Sequence, residues 1–502
     1  MVVPDVRVRA ANDRVLRPDG EFVLYWMIAA RRSRANFALQ RAVELGRELG
    51  RPLLVFEPLR CGYRWASERL HAFVLQGMAD NAAAFAAAGV TYLPYVEPEP
   101  GAGKGLLAAL AANACAVVTD EFPGFFLGRM VAAAANAVPV RLEVVDSLGL
   151  LPLRIADKVF GRAYDFRRFL QQVLPSHLAD FPVGEPLRGY AGGAARVPRA
   201  VATRWPAARP EQLAAAPGAL AALPIDHSVG AVGTRGGTVA AGAALRTFLR
   251  DRLARYGDER SDPDADCASG LSPWLHFGHI SAHQVFAGLA KQEGWSRGRT
   301  KATADGQRGW YGMSPAAEAF LDELVTWREL GHNAAWQRTD HDGFAWLPEW
   351  AKRTLDRHAG DAREHVYSLE QFAASRTHDP VWNAAMTQLR ESGVLQNYLR
   401  MLWGKKVLEW TRSPAEAFTI LVELNNRYAL DGRDPNSYCG IGWVFGRYDR
   451  PWAPERPVYG VIRYMSSTNT VKKLRLRQYL ARWGGDGAPT PVSRRAPRSS
   501  PA

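Results

Sequence analysis

The apolar residues of this chain change their spacing near residue 240, and that change limits the fold more than any other feature. Between residues 21 and about 151, short apolar runs read as buried strands at 22–28 (FVLYWMI), 52–58 (PLLVFEP), 90–96 (VTYLPYV), 115–120 (CAVVTD) and 140–146 (VRLEVVD). Helical stretches fill the gaps, at 36–49, 66–88, 105–113 and 126–136. Such alternation predicts a parallel sheet with helices on both faces. A sheet of this kind takes ligands at the carboxyl ends of its strands, where Asp120, Glu121 and Asp146 fall; structural capping explains those acids equally well. No GxGxxG follows the first strand, so the dinucleotide fingerprint is missing. From 241 to 482 the spacing turns helical, with amphipathic segments near 241–256, 273–291, 315–331, 380–391, 395–412 and 414–428.

At 502 residues the chain exceeds what one hydrophobic core usually supports. The expected organisation is α/β followed by all-α. An N-terminal arm (1–20) leads into a doubly wound, Rossmann-like parallel-sheet domain (21–182). A linker rich in Gly, Pro, Ala and Arg (183–240) is expected to wrap partly on the surface. A helical domain (241–483) and a disordered tail (484–502) complete the chain.

A formal charge of +13 points to a polyanionic partner, most plausibly nucleic acid. Cys61, Cys115, Cys267 and Cys439 lie far apart, which argues against a zinc knuckle, a redox dithiol or a disulfide framework. No histidine or cysteine cluster has metal-ligand spacing, so no metal is expected; His276, His283, His332 and His378 read as structural. Without a signal-peptide pattern or a long uncharged run, a soluble, cytoplasmic protein with no membrane contact is expected.

Thirteen of the sixteen tryptophans lie between Trp274 and Trp483. Indole is readily oxidised, and it stacks on bases and flavins. Trp403 and Trp410 are seven apart, two helical turns, and Trp382 on the preceding helix can approach that face. Such a set can pass an electron from the surface to a buried oxidant; an aromatic helix seam explains the same spacing. In FLDELVTWREL (320–330), Glu323 and Trp327 share a helical face, suited to bonding the edge of a base while the ring packs on it; a solvated Glu above a half-buried Trp is the plainer alternative.

Three further stretches stand out. CASGLSPWLHFG (267–278) sets Ser269, Gly270 and Ser272 before a helix opening at Pro273, where capping is the favoured local reading and phosphate binding the alternative. The run 423–449 contains Asn425, Asn426 and the turn Asp431-Gly-Arg-Asp434-Pro-Asn436, whose groups suit the polar edge of a heteroaromatic ring; a capped loop accounts for it as well. Residues 397–484 hold fifteen Lys or Arg against seven Asp or Glu. Their cations, Arg447, Arg450, Arg463, Lys472, Lys473, Arg475 and Arg477 among them, are interleaved with Trp443, Trp452, Tyr459 and Tyr464, as in a surface that grips a phosphodiester backbone.

Taken together, SGLSPWLHFGHISA, THDPVWNAAMTQL, YLRMLWGKKVLEWTRSPAEA and ALDGRDPNSYCGIGW resemble the DNA photolyase and cryptochrome superfamily, specifically its class II cyclobutane pyrimidine dimer photolyases. The likeness runs from about Tyr25 to Tyr464 and includes YWM at 25–27 with Arg34, Asn36, Ala38 and Leu39. It implies a bound FAD, with Ser269, Gly270, Leu271 and Ser272 at its phosphates, Tyr256 and Asn397 nearby, and Asp434 in the same site. It further implies an Arg400–Asp431 pair beside the flavin ring, Asn425 facing flavin N5, and an electron relay ordered Trp403, Trp382, Trp410. Glu323 would bond the lesion, Trp327 and Trp443 would line its pocket, and Arg447, Arg463, Lys472 and Lys473 would meet DNA. The implied activity is light-driven splitting of pyrimidine dimers in UV-damaged DNA by a monomer associated with the nucleoid; a light-sensing cryptochrome that repairs nothing is the rival. An antenna chromophore of the 8-hydroxy-5-deazaflavin type is implied by family habit alone. The chain departs from many members at His283-Gln284, at Asn333–Trp336 and after Met465.

Overall fold

Phe22–Trp26 form a strand buried on both faces, because Phe22, Leu24 and Trp26 meet one set of helices while Val23 and Tyr25 meet another. The computed structural model describes residues 2–484 except 217, 302–305 and 307. In the first half the elements are β1 (Val8–Ala10), β2 (Phe22–Trp26), α1 (Phe37–Leu49), β3 (Leu53–Leu59), α2 (Glu68–Ala87), β4 (Thr91–Val96), α3 (Leu106–Ala111), β5 (Ala114–Asp120), α4 (Leu127–Ala137) and β6 (Leu142–Val145). They build a six-stranded sheet in the order β1-β6-β5-β2-β3-β4. All neighbours are parallel except β1, which runs antiparallel to β6.

The five strands β2–β6 fall where the apolar runs predict. β1 is the addition: part of the expected arm is an edge strand, too short to carry a readable alternation. It follows Arg7, fully buried and donating to the carbonyls of Gly149 (3.1 Å) and Leu150 (2.8 Å). The acids at the strand ends prove structural. Asp120 accepts the N–H groups of Ile28, Ala29 and Ala30 at 2.7–2.9 Å and the Tyr25 hydroxyl at 2.7 Å. Glu121 pairs with Arg9, and Asp146 accepts from Leu148 and Leu153.

After α5 (Ala163–Val173), the stretch expected as a linker carries α6 (Arg199–Arg204), α7 (Pro210–Leu213) and the start of α8 (Thr238–Thr247). It packs on the sheet half: Ala194 bridges Leu53, Asp226 bridges Ser67, and buried Trp205 donates to Ala102 O at 2.8 Å. The helical half follows with α9 (Leu253–Glu259), α10 (Ser272–His276), α11 (Ala282–Gln292), α12 (Pro315–Leu321), α13 (Arg328–Gln337), α14 (Glu349–Arg357) and α15 (Leu369–Ala373). It ends with α16 (Pro380–Ser392), α17 (Asn397–Glu409), α18 (Pro414–Tyr428), α19 (Pro435–Val444), α20 (Ser467–Lys473) and α21 (Arg477–Trp483).

Three expected helices are interrupted, the first, 241–256, by a π-helical turn over Phe248–Arg252. The segment 273–291 divides into α10 and α11 at Gly278, whose φ is +73° and where a Cβ would stand 1.8 Å from Ala29 O. Only glycine lets the sheet half approach that closely. The segment 315–331 is broken by a π-helical turn over Asp322–Trp327. The expected tail, apart from Gly484, lies outside the described residues. Among the described residues, no helix is long and apolar enough to cross a membrane and no cluster of His, Cys, Asp and Glu could hold a metal. All four cysteines are buried and free.

The halves meet across a polar seam. Buried Glu329 on α13 accepts the N–H groups of Leu150 (2.7 Å) and Leu151 (3.0 Å), and Arg328 donates to Leu148 O at 3.1 Å. Burial pushes the Glu329 carboxyl up to about 7, against the two amide bonds that favour its charged form. Glu329→Leu should therefore cost about 1–3 kcal/mol for each amide left without a partner. Urea unfolding checks this, and an unchanged midpoint would refute the seam.

Candidate functional site

A cavity of about 470 Å³ opens in the helical half, within the size range that holds a cofactor-sized ligand. Its walls come from segments nearly 190 residues apart in sequence, running from Tyr256 and Ser269 through Glu323 and Trp327 to Arg400, Asp431 and Trp443. Of the residues singled out in the sequence, Ser272, Asn397, Asp434 and Arg463 also line it.

One wall is set by the buried turn between α18 and α19. Asn426 Oδ1 accepts the N–H of Arg433 (2.9 Å), whose φ of +67° turns the chain. Asn426 Nδ2 donates to the Tyr438 hydroxyl (2.9 Å), and Asn425 Nδ2 donates to Ser437 Oγ (2.9 Å). A Cβ at Gly432 would lie 2.7 Å from Asn425 O, so the turn closes only on glycine. At the cavity surface Arg400 Nη2 donates to both Asp431 oxygens, at 2.9 and 3.2 Å. Asp434 caps α19 through the N–H of Asn436 (2.9 Å), while its other oxygen faces His276 Nδ1 at 3.1 Å. A carboxylate only accepts, so that nitrogen carries the proton. Burial pushes the Asp434 carboxyl up, but His276, His332 and Arg328 together outweigh it and hold it well below the usual carboxylate range.

A second wall is the loop before α10. The favoured capping reading fails here: the N-cap residue is Leu271, with no side-chain cap bond. Ser269 and Ser272 line the cavity instead, and Gly270 has φ +68°. Gly270, Leu271 and Asn425 do not line it; Asn425 is set behind the wall, its amide engaged within the turn.

The third wall is the π turn. Its i→i+5 bonding adds a residue to the helical turn, and such bulges recur at functional sites. Glu323 and Trp327 both face the cavity, and Glu323 forms a very close ion pair with Arg260. Burial raises the Glu323 carboxyl above its ordinary value, with Arg260 pulling the other way. Opposite stands Trp443, with the Arg463 guanidinium 5.6 Å from its ring centre and Lys405 Nζ at 4.7 Å. Lys405 is fully buried and donates to Val444 O at 2.6 Å.

Trp382, Trp403 and Trp410 do not line the cavity but form a connected set of their own. Trp403 and Trp382 stack with centres 6.3 Å apart and planes 10° from parallel; Trp382 and Trp410 are 6.2 Å apart at 65°. Trp382 Nε1 also donates to Trp403 O at 3.0 Å.

The basic surface needs one correction. Arg447 is buried, donating to Trp346 O and packed over the rings of Trp346 and Tyr448 at 4.8 and 4.9 Å, so it is withdrawn from the DNA-contacting set. Tyr459 is buried too, bonded to Lys405 O. Arg463, Lys472 and Lys473 are exposed, Lys473 over the Tyr398 ring. The departures at His283-Gln284 are structural: His283 packs edge-on to Phe37 and Phe181, and Gln284 completes a capping box with Ser281. Arg260, Arg328 and Ser437 line the cavity without having been singled out as candidates, whereas Asn436 of the predicted turn does line it.

Lys405 supplies a test. Burial pushes its ammonium down to about 7 from an ordinary 10.5, so between those values the unfolded chain binds the proton more readily. Stability from this group therefore rises with pH from about 7 and levels above 10.5. Relative to wild type, Lys405→Met should lose more than about 1.4 kcal/mol of unfolding free energy on going from about pH 6 to about pH 10. A pH-independent difference between the two proteins would contradict the buried charge.

No family model matches the chain. It is 34% identical over 480 residues to the deoxyribodipyrimidine photo-lyase of Methanothermobacter thermautotrophicus, covering 95% of this chain and 98% of the relative. The enzymes of that name from Potorous tridactylus and Oryza sativa are 32% and 33% identical, over 94% and 95% of this chain and 83% and 90% of their own. Among solved structures, a class III photolyase from Agrobacterium tumefaciens superposes with a TM-score of 0.68 at 16% identity, over 92% of this chain and 86% of the other. A Synechocystis cryptochrome gives 0.61 at 16%, over 92% and 88%, a likeness of fold.

Proposed function

The chain belongs to the deoxyribodipyrimidine photo-lyase family, and we propose that the 470 Å³ cavity is where FAD and a flipped pyrimidine dimer meet. The protein is a light-dependent DNA repair enzyme. One observation carries the assignment of the site: polar groups suited to a flavin nucleotide and groups suited to a damaged base share one cavity, although they come from separate stretches of chain.

The residues fit the cofactor. Ser269 and Ser272 supply hydroxyls for its phosphates, and Tyr256 and Asn397 border them. Arg400, paired with Asp431, presents a fixed cation to the polar edge of the ring. When bound and reduced, FAD supplies the light-driven electron donor that opens a cyclobutane ring. Glu323, held beside Arg260 and facing the cavity, is assigned to hydrogen-bond the lesion bases as charge develops on them. Trp327 and Trp443 exclude water and stack, and Arg463, Lys472 and Lys473 take the strand phosphates. The Trp403, Trp382, Trp410 file is assigned to carrying electrons inward. A second, mostly apolar cavity at the strand ends, lined by Tyr63, Phe122, Phe125, Phe126, Phe277 and Arg31, measures about 100 Å³, below the size that holds a deazaflavin, and no antenna is assigned to it.

Reconstitution with FAD tests the site. Wild type should take up flavin, and a protein that cannot be loaded would sink the assignment. Trp403→Phe should slow photoreduction of bound flavin yet leave repair by chemically reduced enzyme largely intact; equal loss of both would remove the relay role. Glu323→Ala should lower the repair rate about tenfold to a hundredfold, the worth of one hydrogen bond to a charged group, with flavin binding retained.

A further inference from the structure

Between α19 and α20 the chain doubles back on itself, and the two arms of that segment are paired. The N–H of Trp452 donates to Val461 O at 2.8 Å, and Arg456 and Gly460 exchange backbone bonds at 2.9 and 2.7 Å. α14 and the turn after it fix the segment from behind. Thr354 Oγ1 accepts the N–H of Val461 (3.1 Å), and Asp361 accepts that of Val458 (2.8 Å).

Two exposed arginines share one indole on this fixed segment. The Arg450 guanidinium lies 4.5 Å from the centre of the Trp452 ring, and that of Arg463 lies 4.8 Å from it. The ring itself is anchored, its Nε1 donating to Asp449 Oδ1 at 3.2 Å. Among the described residues neither guanidinium has an ion pair or a hydrogen bond of its own. Arg475, on the same basic stretch, is instead tied to Asp262 and Glu259. Stacking covers the face of a guanidinium and leaves its N–H edge free. Two cations gathered with open donors and no paired acid suit a polyanion. Arg463 also lies 5.6 Å over Trp443, which lines the cavity, so the pair stands beside its mouth.

Resting on the reading of this surface as the DNA-binding face, we propose that Trp452 is a positioning residue that holds Arg450 and Arg463 as a two-armed clamp on backbone phosphates beside the lesion. A free arginine gives up side-chain entropy when it binds; over an anchored ring, part of that freedom is already lost. Arg450 thereby joins the DNA-contacting set, and Trp452 acts through the two cations rather than on a base.

The test is the affinity of the flavin-loaded protein for a duplex oligonucleotide carrying one pyrimidine dimer, measured in the dark over a series of salt concentrations. Arg450→Ala and Arg463→Ala should each make the slope of log affinity against log salt shallower by about one. Trp452→Leu should weaken binding about threefold to tenfold and flatten the slope although it removes no charge. Trp452→Phe, which keeps a ring face, should bind nearly as wild type does. In the Arg450→Ala/Arg463→Ala background, the loss caused by Trp452→Leu should vanish. A loss that persists there, or a slope unchanged in Arg450→Ala, overturns the clamp while the DNA-binding reading stands. Arg450→Ala, at an exposed position, keeps the test decisive if Trp452→Leu does not take up flavin. If Arg463→Ala changes neither affinity nor slope, the DNA-binding reading of this surface fails and the proposal with it.

Discussion

The buried turn joining α18 to α19 is the constraint on which the helical half depends. A helical layer enclosing a polar cavity must satisfy many backbone and side-chain groups away from bulk water, and an unmatched one is costly. Asn425, Asn426 and Asp434 meet that demand among themselves and with Arg433, Ser437, Tyr438 and His276. Because these bonds lie inside the turn, Arg400, Asp431 and Asn436 are left facing the cavity. The polar wall is thus a consequence of how the turn is held.

Tryptophan plays two physical parts around that cavity. Trp327 and Trp443 are half-buried at its mouth, with cations over Trp443. Trp382, Trp403 and Trp410 are core residues by burial and a connected file by geometry. The aromatic-seam and electron-relay readings of their spacing are compatible, because ring contacts of this length both pack a core and couple neighbouring indoles.

The parallel sheet was legible because β2 and β5 are buried on both faces and read as unbroken apolar runs. β1 was hidden, since its place depends on Arg7 meeting the carbonyls of a loop some 140 residues away. The π turn left no trace either: its residues keep a helical pattern, and only packing shows the extra one. Arg447 shows the limit of counting charges, because a cation stacked between Trp346 and Tyr448 looks in sequence like one on the surface. Arg260 was missed for the opposite reason; nothing near it in the chain announces Glu323, 63 residues on.

We propose that this one cavity uses light to act on damaged DNA. The most direct measurement follows pyrimidine dimers in a defined oligonucleotide mixed with the flavin-loaded, reduced protein, in the dark and under blue light. Dimers should persist in the dark and disappear on illumination, leaving intact pyrimidines. Dimers that survive illumination while the flavin stays bound and reduced would contradict the account.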